Sequence, residues 1–196
     1  MLKKLFFIIS IMFIGITPSF ADIGPFTIDL FGAYANVGDL KSQVGFGGGL
    51  GLGIADTLNL QLRVISTEKT RETEQSSGYK HFTVQAGVEY VPVIPFLEKY
   101  QLSWNSSIFL GLAHSGYTYY DSASFGSRDH YETGYSASIW TGPHFNPTQY
   151  VSFFAEIGYH FCYYTGEMED TNVSGFQALI GARCTLFGSR DYARGY

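Results

Sequence analysis

The sequence predicts an all-β fold, an eight-stranded antiparallel up-and-down β-barrel that crosses a membrane. Three observations predict it. Apolar residues alternate with polar residues or glycine, at a period of two, along eight separate segments. Those segments exceed the roughly 5–6 residues of an ordinary globular strand and approach the ~9–11 that a tilted membrane-crossing strand needs. The connections between them switch regularly between long polar stretches and short turns, the layout of an outer-membrane barrel. Composition agrees. Of 196 residues, 17% are aromatic, 15% are charged and 23 are glycine, too aromatic and too sparsely charged for a disordered chain. With 12 Lys and Arg against 17 Asp and Glu, there is no concentrated basic face for nucleic acid.

The first segment reads as an address. Lys3 and Lys4 precede an apolar run over residues 5–16, and Ser19, Phe20 and Ala21 form a small-x-small cleavage site. This predicts a secretory signal peptide over residues 1–21, with Asp22 as the mature N-terminus. The alternative, a retained anchor, has an apolar core too short to cross a bilayer comfortably. No Cys follows the cleavage site to carry a lipid. Without Lys3 and Lys4, 10 basic residues face 17 acidic ones, a formal charge of −7. An exported chain rich in glycine and aromatics points to a bacterial envelope. The barrel is expected over residues 22–187, followed by a short polar periplasmic tail at 188–196.

The segments follow in order. Ile28, Leu30, Gly32 and Tyr34 share a face opposite Asp29, Phe31 and Ala33. Residues 44–54 read V-G-F-G-G-G-L-G-L-G-I, placing Val44, Phe46, Leu50, Leu52 and Ile54 on one face and Gly45, Gly47, Gly49, Gly51 and Gly53 on the other. A nucleotide-binding glycine loop is excluded there, because G-x-G-x-x-G spacing is absent. Leu58, Leu60, Leu62 and Val64 oppose Asn59, Gln61 and Arg63; Phe82, Val84, Ala86, Val88 and Tyr90 oppose His81, Thr83, Gln85, Gly87 and Glu89. Leu102, Trp104, Ile108, Leu110 and Leu112 oppose Ser103, Asn105, Ser107 and Gly111. Tyr135, Ala137, Ile139 and Thr141 oppose Ser136, Ser138, Trp140 and Gly142. Val151, Phe153, Ala155, Ile157, Tyr159 and Phe161 oppose Ser152, Glu156, Gly158 and His160. Phe176, Ala178, Ile180, Ala182, Cys184 and Leu186 oppose Gln177, Gly181, Arg183 and Thr185.

Long polar connections are expected at residues 36–43, 67–78, 115–133 and 165–173, and short ones at 55–57, 91–99 and 146–149. An even strand count puts both termini on the short-turn side and the long loops outside the cell. The chemistry of the two faces separates a soluble barrel from a membrane one. One face holds small residues and charges of both signs, suited to the tight lumen of eight strands. The other holds Leu, Ile, Val and Phe, with Tyr34, Tyr90, Tyr135 and Tyr159 as interface anchors.

On the signal peptide, strand count, loop asymmetry and glycine-alternating second strand, the chain resembles the small eight-stranded outer-membrane barrels, the OmpA-like transmembrane domains and opacity-type surface proteins. The resemblance implies a structural or surface-interaction role through extracellular loops. It also implies outer-membrane lipids and the barrel-assembly machinery as partners. That family usually ends its last strand with a lipid-facing aromatic; here the apolar face ends at Leu186, and Phe187 falls on the lumen parity.

Four groups of residues invite chemistry. Asp29, Arg63, Glu89, Glu156 and Arg183 form a lumen charge network, Arg183 being placed to pair with Asp29 or Glu156, and Arg63 with Glu89 on the next strand. The network reads as a salt-bridged plug, with a narrow solute or hydrophobic-ligand conduit as the alternative. Tyr117, Tyr119, Tyr120, Phe125 and Tyr131, with Tyr135, crowd the third long loop, either as a surface for an extracellular ligand or as strand extensions forming an aromatic girdle. Asp121 and Ser122, with His81, His114 and His160 near the outer rim, raise the alternative of a lipid-modifying enzyme, though no nucleophile–base motif is present and no catalytic residue is assigned. Cys162 and Cys184 lie at opposite ends and on opposite faces, so two free, half-buried thiols are expected. No His and Cys spacing typical of a metal site appears, and no cofactor is expected.

Overall fold

The computed structural model describes residues 24–38, 42–69, 78–121, 126–165 and 172–187. The segment read as a signal peptide and the tail at 188–196 lie outside them. Eight strands form the wall: β1 (Phe26–Val37), β2 (Ser42–Ala55), β3 (Leu58–Lys69), β4 (Gly78–Tyr90), β5 (Leu102–Asp121), β6 (Gly126–Phe145), β7 (Val151–Tyr163) and β8 (Gly175–Phe187). A single helical turn, α1 (Pro95–Glu98), interrupts the β4–β5 connection, entered through its proline at the first helical positions. Each strand pairs antiparallel with its neighbour, and β8 closes back on β1. The fold is the expected up-and-down eight-stranded barrel.

Closure gives every strand of the wall a partner on both sides. The β1–β8 seam runs from Val37↔Gly175 to Phe26↔Phe187, with one bulge beside Phe26 that skips Leu186. The β6–β7 ladder lapses around Pro143, which has no N–H to give. One end of the barrel carries the start of β1, the end of β8, α1 and the tight turns. The other carries the connections after β1, β3, β5 and β7; we call these the terminal end and the hairpin end.

The two faces are sorted as the alternation predicts. Outward side chains include Leu30, Phe46, Ile108, Leu110, Ile157, Phe176 and Ile180, each more than 60% exposed. Inward ones include Asp29, Arg63, Gln85, Glu89, Asn105, Glu156 and Arg183, all buried. A water-soluble barrel has the opposite arrangement.

The interior is not polar throughout. Phe31, Ala33, Ile65, Phe109, Trp140, Phe154 and Leu179 form a buried apolar cluster across its middle. Eight strands leave room for such rings only where the facing position on the next strand is small. Gly87 lies under Phe109 and Gly158 under Trp140, where an added Cβ would come within 2.7 Å and 2.5 Å of ring carbons. Gly47 and Gly181 flank Phe31 in the same way.

One expected loop is mostly strand. Residues 115–133, expected as the third long connection, keep β5 and β6 in register up to Asp121↔Gly126. Tyr, Thr and Ser dominate this stretch, and such residues sustain a two-stranded ladder beyond the wall.

Candidate functional site

Toward the terminal end, β8 places Arg183 directly across from Asp29 on β1. The guanidinium donates from Nε to Asp29 Oδ1 and from Nη2 to Oδ2, both at 2.7 Å, a bidentate pair. Its remaining edge reaches the opposite wall, with Nη1 2.8 Å from Glu89 Oε2 and Nη2 3.0 Å from Oε1. Asn59 and Asn105 also donate to Glu89, at 2.6 Å and 2.9 Å. One arginine therefore ties β8 to β1 and to β4.

A step toward the hairpin end, Arg63 Nη1 lies 3.0 Å from Glu156 Oε2 on β7. This contact is close without hydrogen-bond alignment. The cation is held largely by ring faces, 4.6 Å from Phe109, 5.4 Å from Trp140 and 5.6 Å from Phe31. His144 Nε2 sits 3.1 Å from the other oxygen of Glu156.

Two of the expected pairings are corrected here. Arg183 joins Asp29, as one reading had it, but its second carboxylate is Glu89 and not Glu156. Arg63 meets Glu156 and not Glu89. The register explains the second correction: Arg63 stands opposite Gln85, so Glu89 is four residues down β4, about 13 Å at ~3.3 Å per residue. Both actual partners lie across the lumen.

Nearer the hairpin end, His81 on β4 meets His160 on β7, Nε2 to Nε2 at 3.1 Å. Cys162 Sγ lies 2.7 Å from the same His160 nitrogen. On the far side of His81, Nδ1 is 2.5 Å from Ser115 Oγ, which also receives the Tyr164 hydroxyl at 2.6 Å. His81, His160, Ser115 and Tyr164 are all buried.

The rim residues divide. Tyr117, Tyr119 and Tyr120 fall on β5, paired with His130, Arg128 and Ser127 of β6. Tyr131 is exposed and stacks on His114, 5.6 Å between ring centres. Phe125 and Ser122 lie outside the described residues. His114 faces outward, its Nδ1 3.0 Å from Thr133 Oγ1. It shares no site with His81 and His160, because its side chain is on the other face of the wall.

No family model matches the chain, and no curated protein matches it. Solved structures do. Neisserial surface protein A superposes with a TM-score of 0.64 at 18% identity, covering 82% of this chain and 97% of that one. The N-terminal β-barrel domain of OprF from Pseudomonas aeruginosa gives 0.53 at 17% identity, covering 84% and 100%. Ail, the attachment invasion locus protein of Yersinia pestis, gives 0.55 at 17% identity, covering 83% and 97%. The chain has the fold of the small eight-stranded outer-membrane barrels.

Within this outer-membrane-type barrel, sequence reasoning missed two things. The first is the histidine cluster. His160 and Cys162 are two apart on one strand, hence on one face, and that local signal was legible; their partner His81 is not, since only closure brings β4 toward β7. The second is the Ser115–His81 contact, a nucleophile beside a base. Ser115 is fully buried, its hydroxyl enclosed between His81 and Tyr164. The cysteines, free as expected, differ in setting: Cys162 is half-buried, whereas Cys184 is exposed on the outer face rather than half-buried.

Proposed function

We propose that the chain is a plugged barrel of the bacterial outer membrane that holds an interaction surface above the bilayer on its β5–β6 hairpin, with no catalytic role. One observation carries this reading. β6 continues past its last pairing with β7 at Tyr135↔Tyr163 and β5 past its last pairing with β4 at Gly78↔Thr118, so residues 119–121 and 126–128 pair only with each other, about 10 Å of free hairpin at ~3.3 Å per residue. Tyr119 and Tyr120 stand on that free part, with Tyr117 and Tyr131 lower on the same two strands, Tyr117 still opposite Tyr79 of β4. Aromatic side chains bind at low entropic cost.

Arg63, Arg183, Phe109 and Trp140, all buried and meeting across the interior, support a plug over a conduit. Ail was crystallised in complex with the heparin analogue sucrose octasulfate. Here Asp121, Asp129 and Glu132 outnumber Arg128 on the hairpin, a charge balance that suits a neutral or cationic partner better than a sulfated one. The test places a thiol at Tyr119→Cys with both native cysteines changed to serine. A membrane-impermeant maleimide should label this variant on intact cells, in a membrane-bound, heat-modifiable band. Labelling only after lysis, or recovery of the protein in the aqueous fraction, overturns the proposal.

A further inference from the structure

We propose that His81, His160 and Cys162 form a binding site for a single d10 transition-metal ion, Zn2+ in the first instance, near the hairpin end of the lumen. The three ligand atoms, both Nε2 and Sγ, already lie within 4.8 Å of one another. A tetrahedral zinc with bonds of about 2.0–2.1 Å to nitrogen and 2.3 Å to sulfur sets ligand–ligand edges of about 3.3 Å and 3.6 Å. The observed edges are 3.1 Å between the nitrogens and 2.7 Å from His160 to sulfur. The two histidine nitrogens need almost no change of separation, and the thiol must draw about 1 Å away from His160.

Ion-free, the arrangement is awkward. His160 Nε2 faces both a second imidazole nitrogen and a sulfur closer than an N–H···S hydrogen bond normally allows, and it can share only one proton between them. Its Nδ1 has no hydrogen-bond partner, so all of its polar contacts point into the cluster. A cation satisfies all three lone pairs together.

The surroundings also orient the ligands. An Nδ1–H on His81 donating to Ser115 Oγ fixes the tautomer that turns the Nε2 lone pair toward the metal, and Tyr164 holds the serine in place. Imidazole and thiolate together suit zinc over magnesium or calcium, which prefer oxygen. The second acid-and-histidine group of the lumen, Glu89, His144 and Glu156, does not compete. Arg183 and Arg63 already stand about 3 Å from its carboxylates, and their charges repel a further cation.

The experiment uses the folded full chain in detergent, titrated with Co2+ as a spectroscopic stand-in and then with Zn2+. The expected result is one equivalent bound, with a thiolate-to-cobalt charge-transfer band and tetrahedral d–d bands, both lost when Zn2+ is added. Cys162→Ser abolishes the charge-transfer band, Cys184→Ser keeps it, and Ser115→Ala weakens Zn2+ binding roughly 10–100-fold. An unboiled gel confirms that each variant is folded. No such band in the folded wild type overturns the proposal, independently of any variant, as does a band that survives Cys162→Ser.

Discussion

Arg183→Met is the most searching single perturbation of the interior. It removes four charge-assisted hydrogen bonds and strands two carboxylates whose side chains are no more than 2% exposed. The two carboxylates do not suffer equally. Glu89 keeps the amide donors of Asn59 and Asn105, whereas Asp29 loses both of its guanidinium contacts. Removing one partner of a buried ion pair typically costs about 3–5 kcal/mol. That is a factor of roughly 10²–10⁴ in the folded-to-unfolded ratio, at about 1.4 kcal/mol per decade. Urea titration of the barrel refolded into lipid vesicles, followed by the mobility of unboiled samples on a gel, measures the loss. If Asp29 is the orphaned group, adding Asp29→Asn to Arg183→Met recovers about 0.5–3 kcal/mol of it, the range seen for directly coupled residues. A loss below about 1 kcal/mol, or no recovery in the double variant, refutes the argument that Arg183 neutralises this end of the lumen.

The remaining predictions test the facing and the packing. Leu110→Arg, on the outer face at 66% exposure, should lower stability in vesicles by about 2–4 kcal/mol if it sits near the midplane, while Ser107→Ala, three residues away on the inner face, stays mild. Equal tolerance at the two positions, read from the same urea titrations, contradicts the assignment of faces. Gly158→Val should cost about 1–3 kcal/mol by pressing a branched side chain onto Trp140, with a shift in tryptophan emission as the accompanying signature. Arg63→Met, which keeps volume against Phe109 and Trp140 and leaves Glu156 its contact with His144, should cost less than Arg183→Met in the same assay.

What the sequence made legible is what a two-residue period encodes locally. Leu30 against Asp29, or Ile139 against Trp140, is decided by neighbours in the chain. The strand count, the two faces and the tight turns follow from that alone. Partnership across the lumen is another matter. Arg63 with Glu156, Arg183 with Glu89 and His81 with His160 each join strands three or four apart in order, and the match depends on registers accumulated around the closed wall. Reading only adjacent strands therefore recovered Arg183 with Asp29, which are register partners, and missed the others. The apolar middle was hidden for a related reason: Phe109 and Phe154 sit among polar positions, and the glycines that accommodate such rings are on other strands. The length of β5 and β6 was underestimated because Tyr, Thr and Ser serve loops and ladders equally well.

The two tryptophans of the chain occupy opposite sides of one wall. Trp140 is enclosed within the cylinder, while Trp104 is half exposed on the outside near the terminal end, its indole N–H given to Thr141 at 2.8 Å. The molecule thus carries two optical reporters of insertion, separately addressable by replacing either with phenylalanine. Brominated acyl chains should extinguish Trp104 and leave Trp140 bright, so emission alone follows when the wall meets lipid and when the cylinder seals.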